Sequence, residues 1–187
     1  YEQLNAALCF KTSPVTGLWF NIYGGYQDLK NNLASAAIAN YSGSYLQLLQ
    51  GNMHNIYAGA EASYSYKDII SFTTSGVYRD WKTAKTENNS GDQLLYYMPS
   101  FEANFKVDIR PISSVLINLG YQHITREKIG NERVNPVGNL YLGGSYEVFE
   151  GISIYVRANN LLNKDYQYYP GYPTEGINFM GGVSFRF

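Results

Sequence analysis

The residues that could do chemistry are few and scattered. His54 and His123 lie far apart, and neither has a Cys or a second His at ligand spacing. The single cysteine, Cys9, can form no internal disulfide. There is no Gly-x-Ser-x-Gly elbow and no phosphate-binding glycine loop. The sequence therefore points to no catalytic residue, no metal and no cofactor. Aromatic side chains in expected loops are the better prospect: Tyr41, Tyr45, Trp81, Tyr168, Tyr169 and Tyr172 could stack on a sugar, a siderophore or a haem face. A membrane-interface girdle or self-packed loops would use the same residues. Two charge pairs are expected on a polar strand face, Glu102 with Lys106 and Arg157 with Glu147.

These residues sit on a period-2 scaffold. Apolar and polar residues alternate in about nine segments. In one, Phe101, Ala103, Phe105 and Val107 oppose Glu102, Asn104, Lys106 and Asp108; in the last, Ile177, Phe179, Val183, Phe185 and Phe187 form one face. Short turns are expected at 12–16, 67–69, 109–113 and 149–151. Longer loops are expected at 28–53, 83–96, 125–137 and 162–176. Short connections on one side and long ones on the other are the layout of an outer-membrane barrel. Most segments reach the roughly 9–11 residues that a tilted membrane strand needs. Tyrosines cluster where strands should leave the membrane, at Tyr64 and Tyr66, at Tyr96 and Tyr97, and at Tyr166, Tyr168 and Tyr169.

Composition agrees. The chain has 187 residues, of which 16% are charged and 16% aromatic, with 19 tyrosines. A net charge of −1 offers no basic field to nucleic acid. Mean hydropathy is −0.29, and no stretch approaches the roughly 18 apolar residues of a membrane helix. A barrel strand shows lipid only at alternate residues, so its hydropathy averages away. The fold class expected is all-β: an antiparallel, up-and-down transmembrane β-barrel segment of about nine strands.

The end of the chain carries a resemblance. Asn159-Asn160-Leu161-Leu162-Asn163-Lys164-Asp165-Tyr166, then Pro170-Gly171-Tyr172-Pro173, then a strand ending in Phe187, resembles the close of a TonB-dependent outer-membrane receptor. Such receptors are barrels of about 22 strands with an N-terminal plug. The resemblance implies that residues 1–187 are the C-terminal part of such a barrel, without the plug and the TonB box. It implies uptake of a scarce solute, a siderophore, cofactor or glycan, across the outer membrane of a Gram-negative bacterium. The implied partners are the TonB complex, reached through the missing N-terminal region, the lipid bilayer with its lipopolysaccharide, and that small solute. The outer-membrane assembly machinery would read Phe179, Val183, Phe185 and Phe187. The other reading is a complete small outer-membrane barrel with an adhesive or structural role. Because a membrane does not tolerate unpaired strand edges, the fragment is expected to curl shut or to pair with another copy.

Overall fold

The computed structural model describes residues 2–40, 43–83, 95, 98–127, 134–169 and 172–186, and gives the backbone only for 32–40, 43–50 and 169. The described residues form strands and turns, with no helix. The strands are β1 (Glu2–Val15), β2 (Leu18–Asn40), β3 (Gly43–Tyr66), β4 (Ile70–Thr83), β5 (Pro99–Ile109), β6 (Val115–Arg126), β7 (Val137–Phe149), β8 (Ile152–Asn159), β9 (Gln167–Tyr169), β10 (Tyr172–Pro173) and β11 (Asn178–Phe185). Nine make one antiparallel sheet in the order β1-β2-β3-β4-β5-β6-β7-β8-β11. Each pairs with its neighbour in the chain, except that the β9–β10 ribbon is set aside between β8 and β11.

The sheet is not closed: β1 and β11 remain its two edges. The expected curling into a small barrel is corrected here. Closure needs strand number, tilt and stagger to agree, and β1 and β11 are not paired with each other here.

Short turns fall at 16–17, 67–69, 110–114 and 150–151. Three lie where the sequence places them. The first is shorter than expected, because β1 runs on through Val15 after a register shift beyond Thr12. Gly17 takes φ 83° at this turn, which a side chain would strain.

The larger correction concerns residues 28–53. The sequence pattern reads as a loop there, yet β2 and β3 pair across this stretch out to Asn40 and Gly43. Two strands of 23 and 24 residues far outreach a membrane. The physical reason is that β2 and β3 pair the facing half of their backbone groups with each other and can leave the outward half to water, so the hairpin needs no apolar face to run on as strand. A bulge marks where it leaves the regular wall. Register shifts between Leu29 and Asn32, Asn31 has φ 53°, and its N–H donates to Asn52 Oδ1 at 2.9 Å.

Burial is inverted relative to a soluble protein. The apolar set is exposed, with Leu8 at 85% and Phe179 at 79%. Phe10 meets Phe20, and Phe72 meets Phe105 edge-on at 4.8 Å, both on this outward face. The polar set lies on the sheltered side of the curve, where Asn21 and Asn55 are buried. Among the described residues the buried apolar side chains are Leu29, Met53, Trp81, Val137 and Tyr166. Leu29 and Met53 are paired at the bulge midway along β2 and β3, Trp81 and Val137 lie at the ends of β4 and β7 opposite the short turns, and Tyr166 lies in the segment after β8. Tyr64 and Tyr66 are exposed at the short-turn end, as a girdle requires. Tyr166 is not a girdle residue, since it is buried in the loop before β9. Tyr96 and Tyr97 lie outside the described residues.

Candidate functional site

Register places the polar residues in cross-strand rows. One row runs Asn21, Glu61, Ser75, Asn104, Gln122 and Asn139 across six strands. Asn21 Nδ2 donates to Glu61 at 3.4 Å, and Asn55 Nδ2 donates to Gln27 at 2.9 Å. The Oδ1 atoms of Asn21, Asn55 and Asp108 face the same side with no donor. The wall therefore offers spare acceptors to whatever fills the space it encloses.

Both expected charge pairs are replaced. Glu102 pairs with Arg79 at 3.0 Å, and Lys106 with Asp108 at 2.8 Å. Val77 is the direct partner of Glu102, which puts Arg79 one rung diagonal to it. Arg157 lies 4.2 Å over the Tyr141 ring and donates from Nε to Asn159 at 2.8 Å. Glu147 accepts from the Gly151 N–H at 3.2 Å.

Four tyrosines on this face lie flat against a glycine directly opposite: Tyr23 on Gly59, Tyr57 on Gly25, Tyr141 on Gly120 and Tyr155 on Gly182. A β-carbon at Gly182 would stand 2.6 Å from the Tyr155 hydroxyl. Glycine thus lets each ring lie along the wall instead of projecting from it.

Towards the end opposite the short turns, two groups of described residues pack together. Leu29, Met53 and Trp81 form a buried cluster, with Leu95 and Met98 packed against it. Trp81 belongs to β4, not to a loop, and its Nε1–H donates to the Pro99 carbonyl at 2.9 Å. The second group is rooted by the asparagine run. Asn160 takes φ 51° and is buried. Its Nδ2 donates to the carbonyls of Lys164 and Glu175, both at 3.0 Å, and its Oδ1 accepts the Lys164 N–H at 3.0 Å. Its own N–H donates to Asn139 Oδ1 at 2.9 Å. Asn163, at φ 49°, accepts the Ile177 N–H at 3.3 Å. Asparagine suits these left-handed positions because its short amide can bond to the nearby backbone.

Farther out, Arg126 donates from Nη2 to the carbonyls of Gln167 at 2.8 Å and Tyr168 at 3.3 Å. The Tyr168 hydroxyl donates to Gln122 Oε1 at 2.7 Å. Tyr168 therefore leans over the sheltered face, while Tyr172 stands exposed. Tyr41 lies outside the described residues, as do the side chains of Tyr45 and Tyr169. Burial, then the neighbouring Tyr168, pushes the Tyr166 phenol up to about 12. Glu127, just past β6, has its carboxyl pushed up by burial and then by the charge of Asp80.

Alternation puts Gln122 on the polar face of its strand, while Arg126 falls in the loop expected at 125–137 and is not singled out. The signal was present, since both continue the polar alternation Asn118, Gly120, Gln122 to the end of β6. His54 packs on Tyr26, and His123 stacks on Tyr121 and bonds Thr125 at 3.0 Å. Among the described residues no three His, Cys, Asp or Glu gather as a metal site. On the outward face of β11, Phe179, Val183 and Phe185 are exposed, and Phe187 lies outside the described residues.

No family model matches the chain, and no curated protein matches it either. Solved structures do. The siderophore receptor PirA from Acinetobacter baumannii aligns over 99% of this chain and 32% of its own, with 13% identity and a TM-score of 0.71. The FrpB iron transporter from Neisseria meningitidis aligns over 99% and 31%, with 15% identity and a TM-score of 0.70. The copper transporter OprC aligns over 99% and 31%, with 18% identity and a TM-score of 0.69. The fold is that of the TonB-dependent receptor barrel. The chain spans about a third of the length of these receptors. In barrels of that kind a polar face lines the lumen, an apolar face meets lipid, and the long connections lie on the extracellular side.

Proposed function

We propose that this chain is the C-terminal part of the barrel wall of a TonB-dependent receptor in the outer membrane of a Gram-negative bacterium. The receptor takes up a scarce solute: a siderophore, a cofactor or a glycan. One observation carries the reading. An inside-out sheet, apolar on its exposed face and polar on its sheltered one, superposes along nearly its whole length on walls of receptors and transporters. The wall supplies lumen and lipid surface, and Tyr168 and Tyr172 present rings to the solute at the mouth. Energy comes from the TonB complex acting through a region outside this chain. The unpaired acceptors at Asn21, Asn55 and Asp108 suit a plug that presents donors to the wall. Phe179, Val183 and Phe185 form an apolar face that, with the Phe187 that follows them in sequence, the assembly machinery reads.

The test is uptake by cells in which the gene carrying this sequence is intact or deleted, with TonB present or absent. The probes are ferric siderophores, cobalamin and oligosaccharides. Uptake of at least one probe that needs both the gene and TonB supports the reading. Uptake that ignores either one overturns it.

A further inference from the structure

The outward apolar face is not smooth along β7, β8 and β11. Register sets Gly144, Val156 and Gly181 side by side on these strands, with Leu142, Ala158 and Phe179 in the next outward row. Small residues therefore stand among bulky exposed ones, and an apolar groove of about 510 Å³ runs between them. A groove alone names no ligand. Lipid tails are as apolar as this wall, so close packing and charge, not hydrophobicity, decide which lipid stays.

The charge stands farther along β7, away from its short turn. Gly138 lies on the same outward side, since it continues the alternation of Leu140, Leu142 and Gly144. It is buried because the Lys164 stem lies across it. A β-carbon at Gly138 would stand 3.2 Å from Lys164 Cδ, 3.4 Å from its Nζ and 3.3 Å from the Tyr121 hydroxyl. The ammonium and the phenol thus converge on one spot. The Lys164 backbone is held there too, its N–H and its carbonyl both bonded to the Asn160 side chain. Among the described residues no carboxylate pairs with the Lys164 ammonium. From Gly138 to Gly144 is about 20 Å of strand at roughly 3.4 Å per residue. At a tilt of about 45° this spans about 14 Å of depth, close to half of the roughly 30 Å hydrocarbon core. Cation and groove therefore fit the head and the tail of a lipid in one leaflet.

We propose that this face binds one phosphorylated glycolipid of the lipid A type. A phosphate sits on Lys164 Nζ and the Tyr121 hydroxyl, and one acyl chain runs down past Leu142 and Phe179 towards Gly144 and Gly181. The choice of lipid rests on the receptor reading. In such barrels the long connections are extracellular, so the Lys164 end faces the outer leaflet, which lipopolysaccharide builds in a Gram-negative outer membrane.

The test measures lipid binding, not uptake, so its failure leaves the transport reading standing. The full-length protein carrying this sequence is extracted from outer membranes in mild detergent, delipidated, and offered lipid A, dephosphorylated lipid A or phosphatidylglycerol. Retained lipid is read by native mass spectrometry, on samples that keep heat-modifiable gel mobility. The wild type should retain one lipid A in preference to the other two. Lys164→Met should weaken that retention about tenfold or more, the loss of a charge-assisted bond, and Lys164→Arg should keep most of it. Gly144→Val should fold, since its β-carbon meets only the Leu116 carbonyl at 3.5 Å, and should lower retention by filling the groove. Ala158→Leu fills the groove from β8 and replaces Gly144→Val if that variant misfolds. Retention that ignores both Lys164→Met and the filled groove overturns the site. Equal retention of dephosphorylated lipid A overturns the role of Lys164, and equal retention of phosphatidylglycerol overturns the assignment to a glycolipid.

Discussion

Replacing Asn160 by Ala should melt the root of the segment between β8 and β11 without opening the sheet. The substitution removes three side-chain hydrogen bonds, to Lys164 N–H, Lys164 C=O and Glu175 C=O. Each contributes about 1 kcal/mol net. It also leaves a β-carbon at φ 51°, a left-handed conformation that costs an ordinary L residue about 1 kcal/mol. The sum is about 4 kcal/mol, or roughly three decades in a local opening constant. Asn160→Gly loses the bonds but not the backbone fit, so it should cost about 3 kcal/mol. Asn160→Asp keeps the acceptor for Lys164 N–H and turns an oxygen towards two carbonyls, so it should be no milder than Ala. The assay is hydrogen exchange of residues 160–178 in the refolded chain. Exchange there should rise in the order wild type, Gly, Ala, while β2–β6 stay protected. Equal exchange in wild type and Ala would refute the assignment of Asn160 as the root.

Three further outcomes follow from the same contacts. Gly59→Ala places its β-carbon in the Tyr23 ring and should cost about 1–3 kcal/mol, whereas Gly144→Ala meets only the Leu116 carbonyl at 3.5 Å and should stay within about 0.5 kcal/mol; denaturant unfolding in detergent separates them. Phe105→Lys on the lipid face should cost about 2–4 kcal/mol and lower the yield of folded chain, and Asn104→Lys, one residue away on the lumen side, should not, as read by heat-modifiable gel mobility. The Glu127 carboxyl is raised above its ordinary 4.5, first by burial and then by Asp80. The folded state therefore favours the protonated acid, so its contribution is full below the ordinary value and fades as pH rises through the raised one. Protection of 98–127 should be greatest in acid, and Glu127→Gln should flatten that dependence.

Much of this wall was legible because two solvents wrote it. Phe101 to Asp108 alternates cleanly since lipid selects one side and lumen water the other, and no packed core blurs the pattern. Residues 28–53 read as a loop for the converse reason. Beyond the membrane no solvent contrast imposes alternation, so the hairpin shows only in its backbone pairing. Trp81 was misplaced with the loops because nothing local announces that Leu29 and Met53 arrive from two other strands to bury it. The charge pairs failed on register: Arg79 reaches Glu102 only because Val77 is that residue's partner, and sequence spacing does not carry that. The Asn160–Tyr166 run was legible as a resemblance, and its chemistry emerged only with the left-handed asparagines and the carbonyls they bind.

The inside-out polarity of the sheet is tested most directly by single spin labels along Phe101–Asp108 in lipid bilayers, read for collisions with dissolved oxygen and with a water-soluble nickel chelate. Labels replacing Phe101, Ala103, Phe105 and Val107 should collide with oxygen, and those replacing Glu102, Asn104, Lys106 and Asp108 with the chelate, in strict alternation. If the apolar set is shielded from both reagents while the polar set faces bulk water, the apolar face is a packed core and the barrel-wall account is wrong.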